Sequence, residues 1–194
     1  MAYAAPNFSR EHARRFFNRP RFANLWGLLK RRPRTERLPY IELVWLPYYL
    51  IEVNVTSRSG PGVIPVSVES HSGAFALCDV FDGMREGKPP TDPPGECLAP
   101  ALDEETARAV ALKELRETIM RRRSQEHKPL IQDIHAVSLF QYPYWLEYYE
   151  RWRGKLDIRV FDAVSGTAGG AMTKTGILSA LIQASTNKVA SRRD

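Results

Sequence analysis

Few residues in this chain have the types and spacing that chemistry requires. The four histidines, His12, His71, His127 and His135, are scattered. His71 stands between Ser70 and Ser72, but adjacent residues on a strand or turn point apart, so the three do not make a nucleophile–base pair. The aromatic stretch around Trp145 offers Glu147 as its one close acid. Gly166, Gly169 and Gly170 form SGTAGG, but no Gly-Lys-Ser/Thr follows, so the glycines suit a hairpin better than a phosphate cradle. Cys78 and Cys97 are too far apart, without CxxC or a dense His cluster, to announce zinc or a disulfide framework. Free thiols in a reducing cytosol are the expectation. These readings predict a protein that is not an enzyme, with no catalytic residues, no metal ligands and no cofactor.

Binding chemistry is better represented. An acid-x-x-Ser-Gly turn occurs twice, from Glu69 to Gly73 and from Asp162 to Gly166. The acid can accept hydrogen bonds from the turn's amides, and Gly supplies the positive φ that tight turns need. Strand alternation places Tyr142, Tyr144, Leu146 and Tyr148 on one face, with Trp145, Glu147, Tyr149 and Arg151 on the other. Both faces are rich in aromatic side chains, whereas a one-sided antiparallel sheet is polar on its open face. Either the second face is buried, between two parts of the chain or in a homodimer, or it is open to a protein or peptide partner. Tyr48, Tyr49, Tyr144, Trp145 and Tyr149 are the candidates for that contact.

The charge is uneven. The chain carries 28 Lys and Arg against 22 Asp and Glu, a net charge of +6. Residues 1–37 hold ten basic residues against Glu11 and Glu36, a balance of +8, which leaves 18 basic and 20 acidic elsewhere, a balance of −2. A basic segment of this kind fits a solvated helix face, nucleic acid, an acidic membrane surface or an acidic protein. Arg14, Arg15, Arg31 and Arg32 are its candidate contacts. The nucleic-acid reading joins these arginines to the aromatic residues as stacking platforms. No apolar run is long enough for a transmembrane helix, and no secretory signal is visible, so a cytoplasmic protein is expected.

The elements that must hold these residues repeat. Pro33, Leu43, Pro47, Tyr48 and Leu50 return 96 positions later as Pro129, Leu139, Pro143, Tyr144 and Leu146. The cores read LVWLPYYL and LFQYPYWL. An echo of this kind resets the fold problem to one small unit used twice. In the first copy, Ser9 is the expected N-cap of an amphipathic helix interrupted at Pro20 and closed by Pro33. Strands follow over 40–55, 63–70 and 74–81. In the second, Asp103 caps a helix whose expected apolar stripe is Ala109, Leu112, Leu115, Ile119 and Met120, with acids first and arginines last. Strands follow over 131–152, 155–163 and 167–172. Pro47 and Pro143 lack an amide proton, so each predicts a bulge or an edge position.

The helix ETARAVALKELRETI, the long strand, the Gly turn and FDAVSGTAGG together resemble the PepSY module found in peptidase propeptides. The acid-x-x-Thr/Ser-Gly turn of that family is matched by Asp162, Ser165 and Gly166, and more loosely by Glu69, Ser72 and Gly73. The resemblance implies a small α+β unit with a non-catalytic binding or regulatory role, and no catalytic residues. The expected architecture is therefore α+β. It has two repeated α-β-β-β units with antiparallel sheets, each covered by one helix, over residues 9–82 and 101–173. A Pro/Gly-rich linker over 83–100 joins them, and a C-terminal helix and tail occupy 174–194.

Overall fold

Two strands of unusual length organise the molecule. They are β2, Arg37–Ser57, and β7, Leu130–Arg151, both rich in β-branched and aromatic residues. They pair antiparallel with each other along most of their length, from Arg37↔Tyr149 to Thr56↔Leu130. At about 3.3 Å per residue each can span up to roughly 70 Å, so together they form the spine of the protein. The computed structural model describes residues 1–19, 37–78, 83–90, 95–121, 128–151 and 155–190. The Arg-rich remainder of the first expected unit, including Pro20 and Pro33, lies outside them.

Around the spine the other strands complete, among the described residues, one mixed, mostly antiparallel sheet of eight strands. On the outer side of β2 lie β3, Gly60–Glu69, antiparallel, and β6, Gly95–Cys97, parallel to Leu43–Trp45. On the outer side of β7 lie β8, Lys155–Asp162, antiparallel, and β1, Ala2–Ala4, parallel to Phe140 and Gln141. Short strands β4, Phe75–Leu77, and β5, Met84–Glu86, extend the sheet beyond β3 and β1. The class is α+β as expected, but the two separate three-stranded sheets are not found. The apolar strands that each would have left at an open edge pair with each other instead. The expected linker contributes β5 and β6, and of the expected strand over 167–172 only a bridge between Phe161 and Ala168 forms.

The prolines also differ from expectation, for a geometric reason. Register between β2 and β7 runs without a shift through Trp45↔Pro143 and Pro47↔Gln141. The carbonyls of Pro47 and Pro143 accept bonds from Ser70 N and Ala163 N, at 3.1 and 3.2 Å, on the outer side of each strand. A strand residue's nitrogen and carbonyl point to the same side. Each proline nitrogen therefore faces the junction where one outer strand ends and the next begins, and no ladder bond is lost there.

Three helices cover the faces among the described residues. α1, Arg10–Asn18, follows Ser9 at the N-cap position. Asp103 precedes α2, Glu104–Arg121, and its carboxylate accepts Thr106 N at 2.7 Å. α3 is Ala171–Ala190. Odd-numbered residues of β2 face α1 and α2. Leu43 and Trp45 pack with Ala13 and Phe17 of α1, and Tyr49, Ile51 and Val53 pack with Ala107, Ala111, Leu115 and Ile119 of α2. The buried stripe of α2 thus uses small alanines, while Met120, expected inside, is 69% exposed. Even-numbered Val44 and Leu46 face α3, with its Ile177 and Ala180.

The acid turns end β3 and β8. Gly73 and Gly166 have φ of +68° and +74°, the left-handed region that glycine occupies without a Cβ penalty. A Cβ at Gly166 would also stand 2.6 Å from the Phe8 ring. Gly166→Ala should therefore lower stability by about 1–3 kcal/mol. Gly170→Ala, with nothing within 4 Å of its Cβ, should change it by less than about 0.5 kcal/mol. Paired thermal melts check this, and equal melting temperatures for the two variants would contradict it.

Candidate functional site

The aromatic residues singled out by the sequence converge at the centre of the sheet. On the α3 face, β2 and β7 bring Tyr48, Phe140, Tyr142 and Tyr144 together. Ring centroids are 5.7 Å apart for Tyr48–Phe140 and 5.1 Å for Tyr142–Tyr144. The hydroxyls of Tyr48 and Tyr144 bond each other across the strand pair at 2.9 Å. Tyr142 donates to both carboxylate oxygens of Asp162, at 3.0 and 3.1 Å. Farther along β7, Tyr148 donates to Glu42.

The two turn acids flank this cluster. Glu69, fully buried, accepts His71 N at 2.7 Å, Ser72 N at 2.6 Å and the Ser72 hydroxyl. Asp162 accepts Val164 N at 2.8 Å and Ser165 N at 2.9 Å. Each carboxylate is thereby committed to holding its own turn, the role expected from the sequence. Burial, then the facing hydroxyl and nearby carboxylates, raise the phenol pKa values. For Tyr144 the order is desolvation, then Tyr48, and for Tyr142 desolvation, then Asp162. Tyr48 is raised mainly by desolvation, against the opposing bond to Tyr144, and Tyr148 by desolvation and then Glu42.

The opposite face takes the other candidates. Trp145 is 2% exposed, packed with Phe17 and Phe161, and its Nε1 donates to Phe8 O at 2.8 Å. Tyr49 is buried under α2 and donates to Leu102 O at 2.8 Å. Tyr149 is half-buried, donates to Asp157 at 2.8 Å and lies 5.9 Å below the Lys174 ammonium. The five aromatic candidates thus spread over the two faces, and each of them is buried or half-buried. Arg14 and Arg15 lie exposed on α1, and Arg31 and Arg32 lie outside the described residues.

Several polar residues that sequence reasoning passed over have defined roles. Arg159 donates to Glu147 at 3.0 Å and to Phe17 O at 2.5 Å, tying α1 to the β7–β8 hairpin. Lys174 meets Asp157 at 2.5 Å and ties α3 to β8. The only sequence signal for these was an alternation that put charge on otherwise apolar strand faces. Among the described residues the histidines stay apart: His12 bonds Ser9 at 3.1 Å and His71 donates to Ala99 O at 2.9 Å. Cys78 and Cys97 are free thiols, and no group of metal-ligating side chains forms among the described residues. An open concavity of about 930 Å³ lies by the β1–β5 edge, lined in part by Met1, Glu86, Lys88 and Ser138. It contains none of the predicted residues. No protein family, curated protein or solved structure matches the chain.

The Tyr48–Tyr144 bond makes two predictions. Tyr48→Phe should cost about 1–3 kcal/mol, because the buried Tyr144 hydroxyl loses its partner. Adding Tyr144→Phe should cost little more, and additivity in denaturant melts would contradict the coupling. The alkaline limb follows from the raised phenols. Unfolded tyrosine ionises near about 10, and these folded ones above it. Stability should therefore hold below that pH and fall as pH rises past it, less steeply in the double Phe variant.

Proposed function

We propose that the chain is a non-catalytic binding or regulatory module. It is built from two PepSY-like units joined through their aromatic strands, the second keeping β7 and β8 with only the Phe161–Ala168 bridge in place of a third strand, and it meets its partner on the outer surface rather than on the sheet faces. The observation that carries this reading is the Tyr48–Tyr144 bond, between residues 96 positions apart that face each other at the centre of one sheet. Its neighbours are consistent with two-fold pairing of like units. Val44 pairs with Tyr144 and Tyr48 with Phe140, so the 96-residue shift exchanges the two pairs and leaves Leu46↔Tyr142 on the axis.

Bonds outside the strands support the same reading. Tyr49 donates to Leu102 O and Trp145 to Phe8 O, both at 2.8 Å. Leu102 N bonds Ser70 O as Phe8 N bonds Ala163 O. Each turn acid holds its Ser amide, and each turn glycine has positive φ. In this arrangement α2 covers the β2–β3 hairpin and α1 covers β8 and the end of β7, so each unit's helix covers the other unit's strands. The aromatic residues then serve as the joint, and both faces are occupied by the chain's own helices.

Trp145→Ala is the test. If Trp145 belongs to the joint, the substitution should cost about 3–5 kcal/mol, with no change in association in a sizing run. If the melt is unchanged while the elution position shifts, Trp145 is a partner surface and this reading fails. The intact chain should elute as a monomer of 22.1 kDa, because its apolar faces are covered internally.

A further inference from the structure

We infer that the outer face of α1 binds the phosphate backbone of a nucleic acid. This rests on the reading of the chain as a binding module and names its partner. α1 turns Ala13 and Phe17 into the core and leaves Arg10, Arg14, Arg15 and Arg19 exposed around it. Arg10 and Arg14 are four residues apart on one flank of α1, with Arg15 about 140° around the helix from Arg10, and Arg19 follows the helix end. Like charges at this spacing repel each other and destabilise a helix by a few tenths of a kcal/mol per pair, about as much as opposite charges stabilise it. Glu11 stands three residues before Arg14 and four before Arg15, the stabilising spacing, and forms no ion pair with either, whereas the same protein completes such pairs elsewhere. On α2, Arg108 is paired with Glu104 at 2.7 Å and Arg121 with Glu117 at 2.9 Å. Among the described residues, Arg14, Arg15 and Arg19 form no such pair.

The chemistry of the face selects the partner class. A helix that binds a membrane surface sinks an apolar face into it. The apolar face of α1 is spent on Trp145 and Phe161, so a lipid would meet charge alone. A protein partner would want an apolar, charge-depleted centre, which the exposed arginines of α1 do not offer. Phosphate backbones need neither feature. Their affinity comes from cations that release counterions, and the guanidinium fork matches phosphate oxygens in two-bond geometry. The charge balance agrees in sign, because residues 10–19 hold four arginines against Glu11 within a 1–37 segment of +8, and the remainder of the chain is −2.

The test is fluorescence anisotropy of the full chain with a labelled DNA duplex and a labelled RNA strand, titrated between about 50 and 200 mM salt. Four phosphate contacts predict a slope of about −3.6 in log affinity against log salt, a loss on the order of 100-fold across that range. Arg14→Gln and Arg15→Gln should each make the slope shallower by about 1, with unchanged melting temperature because both side chains are exposed. Arg31→Gln with Arg32→Gln is the comparison, and phosphatidylserine vesicles are the competing anion. The inference is overturned if no binding appears at low salt, or if only the vesicles bind. It is also overturned if the slope responds to Arg31 and Arg32 but not to Arg14 and Arg15. Any of these results beside a destabilised, monomeric Trp145→Ala would leave the module reading standing.

Discussion

The antiparallel pairing of β2 with β7 is the constraint from which the rest follows. Once Leu46 stands opposite Tyr142, strand alternation assigns every neighbouring side chain to a face. Val44, Leu46, Tyr142, Tyr144 and Leu146 go to the α3 side, and Leu43, Trp45 and Trp145 to the α1 side. A slip of one residue would exchange these sets and would separate the Tyr48 and Tyr144 hydroxyls. The register is thus held both by the apolar pattern and by a hydrogen bond at its centre.

That pairing also sets what the polar and aromatic groups at its centre and ends can touch. The most suggestive polar groups, Glu69 and Asp162, are engaged by the amides of their own turns. The rings of Tyr48, Tyr49, Tyr144 and Trp145, which would suit an interface if open, lie beneath α1, α2 and α3. α1 carries its arginines outward, and single apolar side chains such as Met120, Leu130 and Ile182 are exposed as well.

The sequence made some of this legible and hid the rest for definable reasons. α2 was readable from Asp103, its first-turn acids and its stripe, because capping and helical periodicity are local signals. Its buried face was only partly readable. Ala107 and Ala111 look neutral in sequence, yet their small side chains let the helix approach the sheet. The opposite facing of Tyr144 and Trp145 followed from alternation, but whether either face was covered did not, since that depends on helices distant in the chain. Strands β1 and β6 have three residues each and no pattern of their own. Pro47 and Pro143 misled because a proline needs only a place where no partner carbonyl awaits its nitrogen, and here the junction between two outer strands supplies one inside the sheet.

The account stands on β2 and β7 joining the halves of the chain into one cooperative sheet. Native-state hydrogen exchange measures this most directly, because it reports the opening free energy of each amide. The account predicts that amides of Val44–Ile51 and of Leu139–Leu146 that lie within the ladder exchange only through global unfolding, with one shared free energy and one shared dependence on denaturant. Two separate opening free energies, one for the β2–β3 hairpin and another for the β7–β8 hairpin, would contradict it.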